Sequence, residues 1–368
     1  MGMEIGIAGI LAITLIIQLL YYIIYLRACF YQPAVTSSGR EPVSVIICSR
    51  NAGEYLEKNL PLFLTQDYPN YEVVVVNDCS ADHTADLLVQ LKPQYPHLKF
   101  TTIEQDEKFS HGKKLAVTVG IKAASYEWLL FTDADCVPAS PQWISTMQRN
   151  FTPEHSIVLG YGGYMSSPGL LNRLIRVDSM MIGLQYLGLA IAGMPYMGVG
   201  RNLAYRKSLF FSNKGFAKHT HILSGDDDLF VNETANAQNT AVELSAESIT
   251  RSIPKKTFGD WFLQKRRHLT TSVYYTTTSK FTAGGEMLSR VIFYCALVWS
   301  LVYHNQLRNY IIIAAGIRFI IQGITYIFGS KKLNEKGIWH LAFICDILLP
   351  FMYFCAFIYN FFTTKRRR

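Results

Sequence analysis

Trp128-Leu129-Leu130-Phe131-Thr132-Asp133-Ala134-Asp135 is an apolar run that breaks into two carboxylates one residue apart. The apolar half reads as a buried strand and the acidic half as the turn at its carboxyl end. Two carboxylates so placed can hold a divalent cation against a diphosphate. Mg²⁺ and Mn²⁺ take oxygen ligands, and they usually bind one or two carboxylates plus phosphate oxygens instead of a full protein cage. An isolated Asp-x-Asp is as readily a solvated turn, so its meaning depends on what surrounds it.

Upstream of this strand, apolar runs alternate with amphipathic stretches. Val43 to Cys48, Tyr71 to Val76, Leu98 to Ile103 and residues 127–132 read as strands, with helices expected over about 53–65, 82–92 and 112–124. This alternation predicts an α/β fold with a mostly parallel, doubly wound sheet. Ligands of such sheets bind outside the carboxyl ends of the strands. Polar residues stand at those ends: Ser49-Arg50-Asn51 after the first strand, Asn77-Asp78 after the second, Asp133 and Asp135 after the fourth. A dinucleotide-binding oxidoreductase would share the layout, but the first strand runs into Ser-Arg-Asn-Ala-Gly, not G-x-G-x-x-G. There is no Walker A sequence either, so a nucleotide must be held by side chains and metal.

Of the 368 residues, half are hydrophobic, and these concentrate at the two ends. Residues 5–26 carry no charge over 22 positions, enough to cross a hydrocarbon core of roughly 30 Å at about 1.5 Å per residue. No Lys or Arg precedes the run and it is long for a signal-peptide h-region, so it reads as an anchor. Arg27 and Arg40 follow it, which predicts a cytoplasmic central domain. Residues 310–329 and 338–363 are also long enough to span, while the 13 uncharged residues of 291–303 suit an interfacial helix as well as a span. Pro350 lies near the middle of the last segment, which leaves a bent, re-entrant hairpin as an alternative to one crossing. Arg318 and Asp346 fall inside hydrophobic segments, where a lone charge is costly, and a mutual salt bridge is expected. The domains read as 1–30, an amino-terminal anchor; 42–278, a cytoplasmic domain; and 286–368, membrane segments with a basic tail.

The net charge of +8 is local in origin, with basic residues gathered at 255–267, at 331–336 and in Lys365-Arg366-Arg367-Arg368. All lie near expected membrane segments, where anionic headgroups attract them. No zinc-finger or RNP-type module accompanies the charge, so nucleic acid is not an expected partner. Seven cysteines without a C-x-x-C pair argue against a disulfide framework and a structural zinc site.

From Val43 to about residue 268, several motifs in order resemble those of family 2 glycosyltransferases of the GT-A fold. This membrane-associated group includes cellulose, chitin and hyaluronan synthases. Val43 to Asn51 with Gly53-Glu54-Tyr55-Leu56 resembles the opening strand and nucleotide-edge loop, and Val74-Val75-Val76-Asn77-Asp78-Cys79-Ser80-Ala81-Asp82-His83-Thr84 resembles V-V-D-D-G-S-x-D-x-T. Gly112-Lys113-Lys114-Leu115-Ala116 resembles G-K-x-x-A-L-N, Ser224-Gly225-Asp226-Asp227-Asp228-Leu229 the G-E-D or T-E-D motif, and Gln264-Lys265-Arg266-Arg267-His268 the Q-x-x-R-W motif. His268 stands where that motif has tryptophan, which weakens the case for processive polymerisation more than for transfer. Trp261 is expected as a membrane-interface anchor. Met197 to Arg206 resembles the glycine-rich segment whose backbone lies close to the acceptor.

The resemblance implies a GT-A nucleotide-diphospho-sugar transferase domain, Rossmann-like, with amino- and carboxyl-terminal transmembrane helices. It implies donor binding by Ser49, Asn51, Asp78, Lys113 and Asp133, and a divalent cation, Mn²⁺ or Mg²⁺, at Asp135 and Asp133, with Asp135 the direct ligand. Asp227 is the implied base, with Asp226 and Asp228 in reserve, and Arg267 with Gln264 would serve the leaving diphosphate. An inverting transfer needs one carboxylate to take the proton from an acceptor hydroxyl. Three adjacent acids repel one another and raise at least one pKa, which favours that step near neutral pH. The expected activity is transfer of a sugar from a nucleoside-diphosphate donor to a lipid-linked or growing saccharide acceptor. It would occur at the cytoplasmic face of the inner membrane, with an oligomer or export partner as a further expectation. The competing reading is a catalytically silent GT-A scaffold that binds nucleotide-sugar or partner synthases.

Overall fold

The computed structural model describes residues 2–33, 40–104, 112–220, 222, 224–303 and 308–364. The basic tail 365–368 and most of the 33–41 linker lie outside them. The chain divides into two compact units. One comprises Gln32–Ser167 and Ala190–Lys256, the other Met1–Tyr31, Pro168–Leu189 and Thr257–Arg368.

The first of these is built on a seven-stranded sheet. Its strands are β1 (Val43–Ser49), β2 (Tyr71–Asp78), β3 (Leu98–Ile103), β4 (Trp128–Asp133), β6 (Ile157–Gly160), β8 (Leu203–Arg206) and β9 (Thr240–Glu243). They lie in the order β3-β2-β1-β4-β8-β6-β9, while β5 (Cys136–Pro138), β7 (Gly162–Tyr164) and β10 (Thr250–Ser252) form a small second sheet. All neighbours in the large sheet are parallel except those of β8, which runs antiparallel to β4 and β6. The sheet is mostly parallel, as expected, and its first four strands match the predicted runs to within two residues.

Val45, Ile47, Val73, Val75 and Leu130 present one face of the sheet to Leu60, Phe63, Trp143 and Met147 in a single core. Across the other face lies helix Lys113–Ala123, seated closely because Gly120 carries no side chain. A Cβ there would stand 2.8 Å from Ile46 Cγ2 and 3.1 Å from Val76 Cγ2. That contact fixes the helix and brings its first residue, Lys113, to the carboxyl edge of the strands. At the amino edge, Glu72 is buried and accepts from Ser44 Oγ at 2.7 Å and from the Ser125 N–H, with Lys99 Nζ at 2.7 Å. Burial alone would raise this carboxyl, but those partners outweigh it and hold it below its ordinary value.

The second unit is helical. Among the described residues five helices are long and apolar enough to cross a membrane: Gly6–Phe30, Leu170–Ile191, Thr277–Tyr303, Arg308–Lys332 and Trp339–Phe362. The first has an inside-out pattern. Ile10, Ile13, Ile16, Leu20 and Ile23 are exposed, whereas Leu11, Thr14, Gln18, Tyr22 and Tyr25 are buried at helical spacing. The run at 291–303 proves to be the end of a 27-residue helix and not a short element. Pro350 sits within a continuous helix, Ala342–Thr364, so this segment forms no hairpin. Helix Leu170–Ile191 has no counterpart in the sequence reading, because Asn172, Arg173, Arg176 and Asp178 interrupt its apolar run.

Inside this unit the charges are paired. Arg318 Nη2 donates to Asp346 Oδ2 at 2.7 Å, the expected pair, and to Gln18 Oε1 at 3.0 Å. Arg290 joins them, with Nη1 3.2 Å from Asp346 Oδ1 and Nη2 2.5 Å from Glu286 Oε1. Lys265 and Tyr353 both engage buried Asp178, and Arg176 Nε pairs with Glu335 Oε2 at 2.8 Å.

Candidate active site

Strand register brings the predicted residues of the sheet unit to one edge. Cys48 lies opposite Asp133 and Ser49 opposite Asn77, so β1, β2 and β4 end together. Because β8 is antiparallel to β4, with Leu203 opposite Phe131, the segment entering β8 meets the end of β4. Gly200-Arg201-Asn202 therefore stands beside Asp133.

Four buried polar atoms along this edge lack a hydrogen-bond partner among the described residues: Ser49 Oγ, Asn77 Oδ1, Asp78 Oδ1 and Thr132 Oγ1. Each such atom costs about 1–3 kcal/mol when unsatisfied, so several on adjacent strand ends mark a place built to receive a polar ligand. Asn51 and Cys79, in the turns after β1 and β2, have positive φ values of 49° and 53°. Non-glycine residues rarely adopt this conformation, and such strain gathers at functional sites. Asn51 Oδ1 accepts from the Ala81 N–H at 2.8 Å, and the Asn51 N–H donates to Ser80 Oγ at 2.9 Å, so the residue ties the two turns together. Its side chain shapes the edge loop.

Asp133 and Asp135 occupy different surroundings. Asp133 Oδ1 accepts from Lys113 Nζ at 2.9 Å. Asp135 Oδ2 accepts from Ser252 Oγ of β10 at 2.8 Å. Burial, with the neighbouring Asp133 charge, raises the Asp135 carboxyl above its ordinary value, against the opposing pull of Ser252 and Arg201. Arg201 is a site residue that the sequence reading did not single out. Its guanidinium lies 4.2 Å from the centre of the Tyr164 ring, and its positive charge acts on both Asp133 and Asp135. The only sequence signal for it was its place in the glycine-rich segment.

Ligand atoms of Asp133, Asp135 and Cys136 all lie within 4.8 Å of one another. Burial, with the two acids adding to it, pushes the Cys136 thiol well up, so the set as it stands is two carboxylates beside a neutral thiol. Such a set fits a hard cation that keeps open positions for phosphate oxygens.

Asp226 and Asp227 of the acidic triplet line one cleft with Cys48, Lys113, Thr132, Asp133, Gly200 and Tyr205. Gly225 leads into it with φ +91°, and a Cβ there would lie 2.4 Å from Leu229 Cδ1, so both conformation and space demand glycine. Asp227 caps helix Asp228–Thr234, its Oδ1 accepting the Asp228 N–H at 2.8 Å and its Oδ2 the Gly200 N–H at 2.7 Å. Burial, then Asp226 and Asp228, push its carboxyl up to about 7, although Lys113 pulls the other way. Asp226 Oδ2 lies 3.2 Å from Lys113 Nζ, and Asp228 Oδ1 accepts from the Leu229 N–H at 2.8 Å. Lys114 points elsewhere, donating to the carbonyls of His219 and Ile222 at 2.6 and 3.1 Å and tying down the segment before the triplet.

Gln264 and Arg267 belong to the helical unit, on helix Phe258–Ser272. Lys265 and Trp261 are buried, so Trp261 is a packing residue there and not the interface anchor expected of it. Arg267, two positions beyond Lys265, turns to the exposed side.

The sequence model of glycosyl transferase family 21 matches residues 10–363. Poly-beta-1,6-N-acetyl-D-glucosamine synthase of Staphylococcus epidermidis is 34% identical over 97 residues, 26% of this chain and 22% of that protein. An uncharacterized glycosyltransferase of Haemophilus influenzae is 26% identical over 144 residues, 39% of this chain and 41% of that protein. The chain thus spans well under half the length of these curated relatives. Among solved structures, a mannosyltransferase from Pyrobaculum calidifontis, in complex with GDP-Man and Mn²⁺, superposes with a TM-score of 0.61 at 18% identity. That superposition covers 94% of this chain and 98% of the other. It shows a shared GT-A fold.

Proposed function

Since the chain belongs to glycosyl transferase family 21, and is therefore a glycosyltransferase, we propose that it is a membrane-anchored inverting enzyme. It moves a sugar from a nucleoside-diphosphate donor to a lipid-linked or growing saccharide acceptor. The observation that carries this reading is the meeting of two acidic groups at one cleft. Asp227, with its carboxyl pushed up to about 7, and Asp133 both line it, and the carboxylate of Asp135 lies within 4.8 Å of that of Asp133. A base poised near neutral pH and a place for a diphosphate are what a single in-line displacement requires.

Asp227 takes the proton of the acceptor hydroxyl, whose oxygen then bonds to the anomeric carbon as the bond to the diphosphate oxygen breaks. The Gly200 and Asp228 N–H groups fix the orientation of the carboxylate throughout. A divalent cation held by Asp135 and Asp133 would neutralise charge on the leaving diphosphate. Lys113 offers a charge-assisted donor for the same oxygens, the role the motif resemblance also implies for Arg267 and Gln264. Ser49 and Asp78, with their unpartnered buried oxygens, receive the nucleoside end. The five long apolar helices support membrane anchoring, and Arg27 and Arg40 after the first support a cytoplasm-facing cleft.

The test is turnover by the purified full chain of a panel of nucleoside-diphosphate sugars with Mn²⁺, with the anomeric configuration of the product read by NMR. Nucleoside diphosphate release that Asp227→Asn and Asp135→Asn both abolish, with an inverted product, is expected. A product of retained configuration would overturn the single displacement, and full turnover by Asp135→Asn would overturn the cation site.

A further inference from the structure

Lys113 stands where its own helix does not favour it. It is the first residue of helix Lys113–Ala123, and a cation near a helix N-terminus opposes the helix dipole. What holds the ammonium there is the cleft, since it lies 2.9 Å from Asp133 Oδ1 and 3.2 Å from Asp226 Oδ2. One lysine thus joins the carboxylate pair after β4 to the triplet that carries the base. It is not packed in place. Among the described residues its side chain is 39% exposed. Lys114 beside it is the contrast, 8% exposed and bonded to two carbonyls.

We propose that Lys113 is a placeholder for the divalent cation, its ammonium holding the Asp133 carboxylate until metal and diphosphate arrive together. This rests on the reading of Asp133 and Asp135 as the cation site. An ammonium and a divalent cation repel each other strongly on one carboxylate, so entry of the metal expels the lysine from Asp133. The incoming diphosphate offers the displaced ammonium a new anionic partner. Metal and nucleotide therefore bind with positive coupling, and by linkage each strengthens the other by the same factor. Without nucleotide, the lysine keeps the acids apart from free cations. It also holds the two acidic walls at one spacing, ready for the donor.

The experiment titrates the purified full chain with Mn²⁺ alone, following the free ion by electron paramagnetic resonance, and then repeats the titration with UDP or GDP present. Lys113→Met and Lys113→Gln are expected to bind Mn²⁺ alone roughly tenfold more tightly than wild type. They should lose a comparable factor of the enhancement that nucleotide gives, while Lys113→Arg should stay close to wild type. Thermal unfolding of each variant confirms that a folded protein is being titrated. Equal or weaker Mn²⁺ binding by both neutral variants overturns the proposal. Adding Asp135→Asn to Lys113→Met separates the two possible failures. If Mn²⁺ affinity is unchanged by that addition, the cation site is misassigned. If binding disappears although Lys113→Met alone brought no gain, the site stands and the lysine is not its placeholder.

Discussion

In the helical unit Glu286 and Asp346 are met by Arg290 and Arg318, two charges against two, with Gln18 accepting from Arg318. At the carboxyl edge of the sheet Asp133, Asp226 and Asp227 converge on Lys113, with Asp135 close by and Arg201 behind it. Both regions gather charged side chains, but only the first balances acid against base with its own residues. Balanced burial is what an interior needs in order to specify which helices meet, since an unpaired charge there is prohibitive. An excess of acids is tolerable only where something cationic will bind. The same residue types thus read as structure in one unit and as chemistry in the other, and the local sum of charge distinguishes them.

The sharpest break of this contrast is Asp227→Asn. It should lower turnover by about 10²- to 10⁴-fold with the thermal unfolding temperature preserved, because the amide oxygen still accepts one backbone N–H. Next in size, Arg318→Leu should destabilise the helical unit by about 3–5 kcal/mol, the usual cost of stranding a buried charge. The double change Arg318→Leu with Asp346→Leu leaves Arg290 with Glu286 and should recover most of the loss in detergent thermal melts. Smaller again is a shift in the pH profile. In the proposed mechanism Asp227 acts deprotonated, so activity should rise with pH through a limb near 7. Asp226→Asn removes a charge that raises this carboxyl and should move the limb down, whereas Lys113→Met removes one that lowers it and should move the limb up. Least of all, Lys99→Met should cost under about 1 kcal/mol in thermal melts, because Lys99 is 46% exposed and Glu72 keeps its hydrogen bonds from Ser44 and Ser125.

Where a segment buries both faces, its residues say so. Val73-Val74-Val75-Val76 and Val45-Ile46-Ile47 could be little else than central parallel strands. The Asp-x-Asp and the acidic triplet were legible for a similar reason, since dense charge next to apolar runs needs explaining. The later strands were not legible: β5, β7 and β10 have three residues each, too short for a period to register. Helix Leu170–Ile191 was missed because Arg176 and Asp178 look solvated in sequence, and only their partners Glu335 and Lys265, far along the chain, make them interior. Arg201 escaped for a different reason. It precedes a strand, and attention to the ends of parallel strands passes over the start of an antiparallel one.

That reversed strand also limits how such an enzyme can diversify. The four rungs from Trp128 with Arg206 to Phe131 with Leu203 lock one shoulder of the cleft to the other, and a slip of one residue would turn every side chain of β8 to the opposite face. Insertions within the ladder are therefore forbidden, while the loops leading into and out of it are free to lengthen and vary. A lineage could exchange one sugar for another by rewriting those loops and leave the paired frame beneath them untouched.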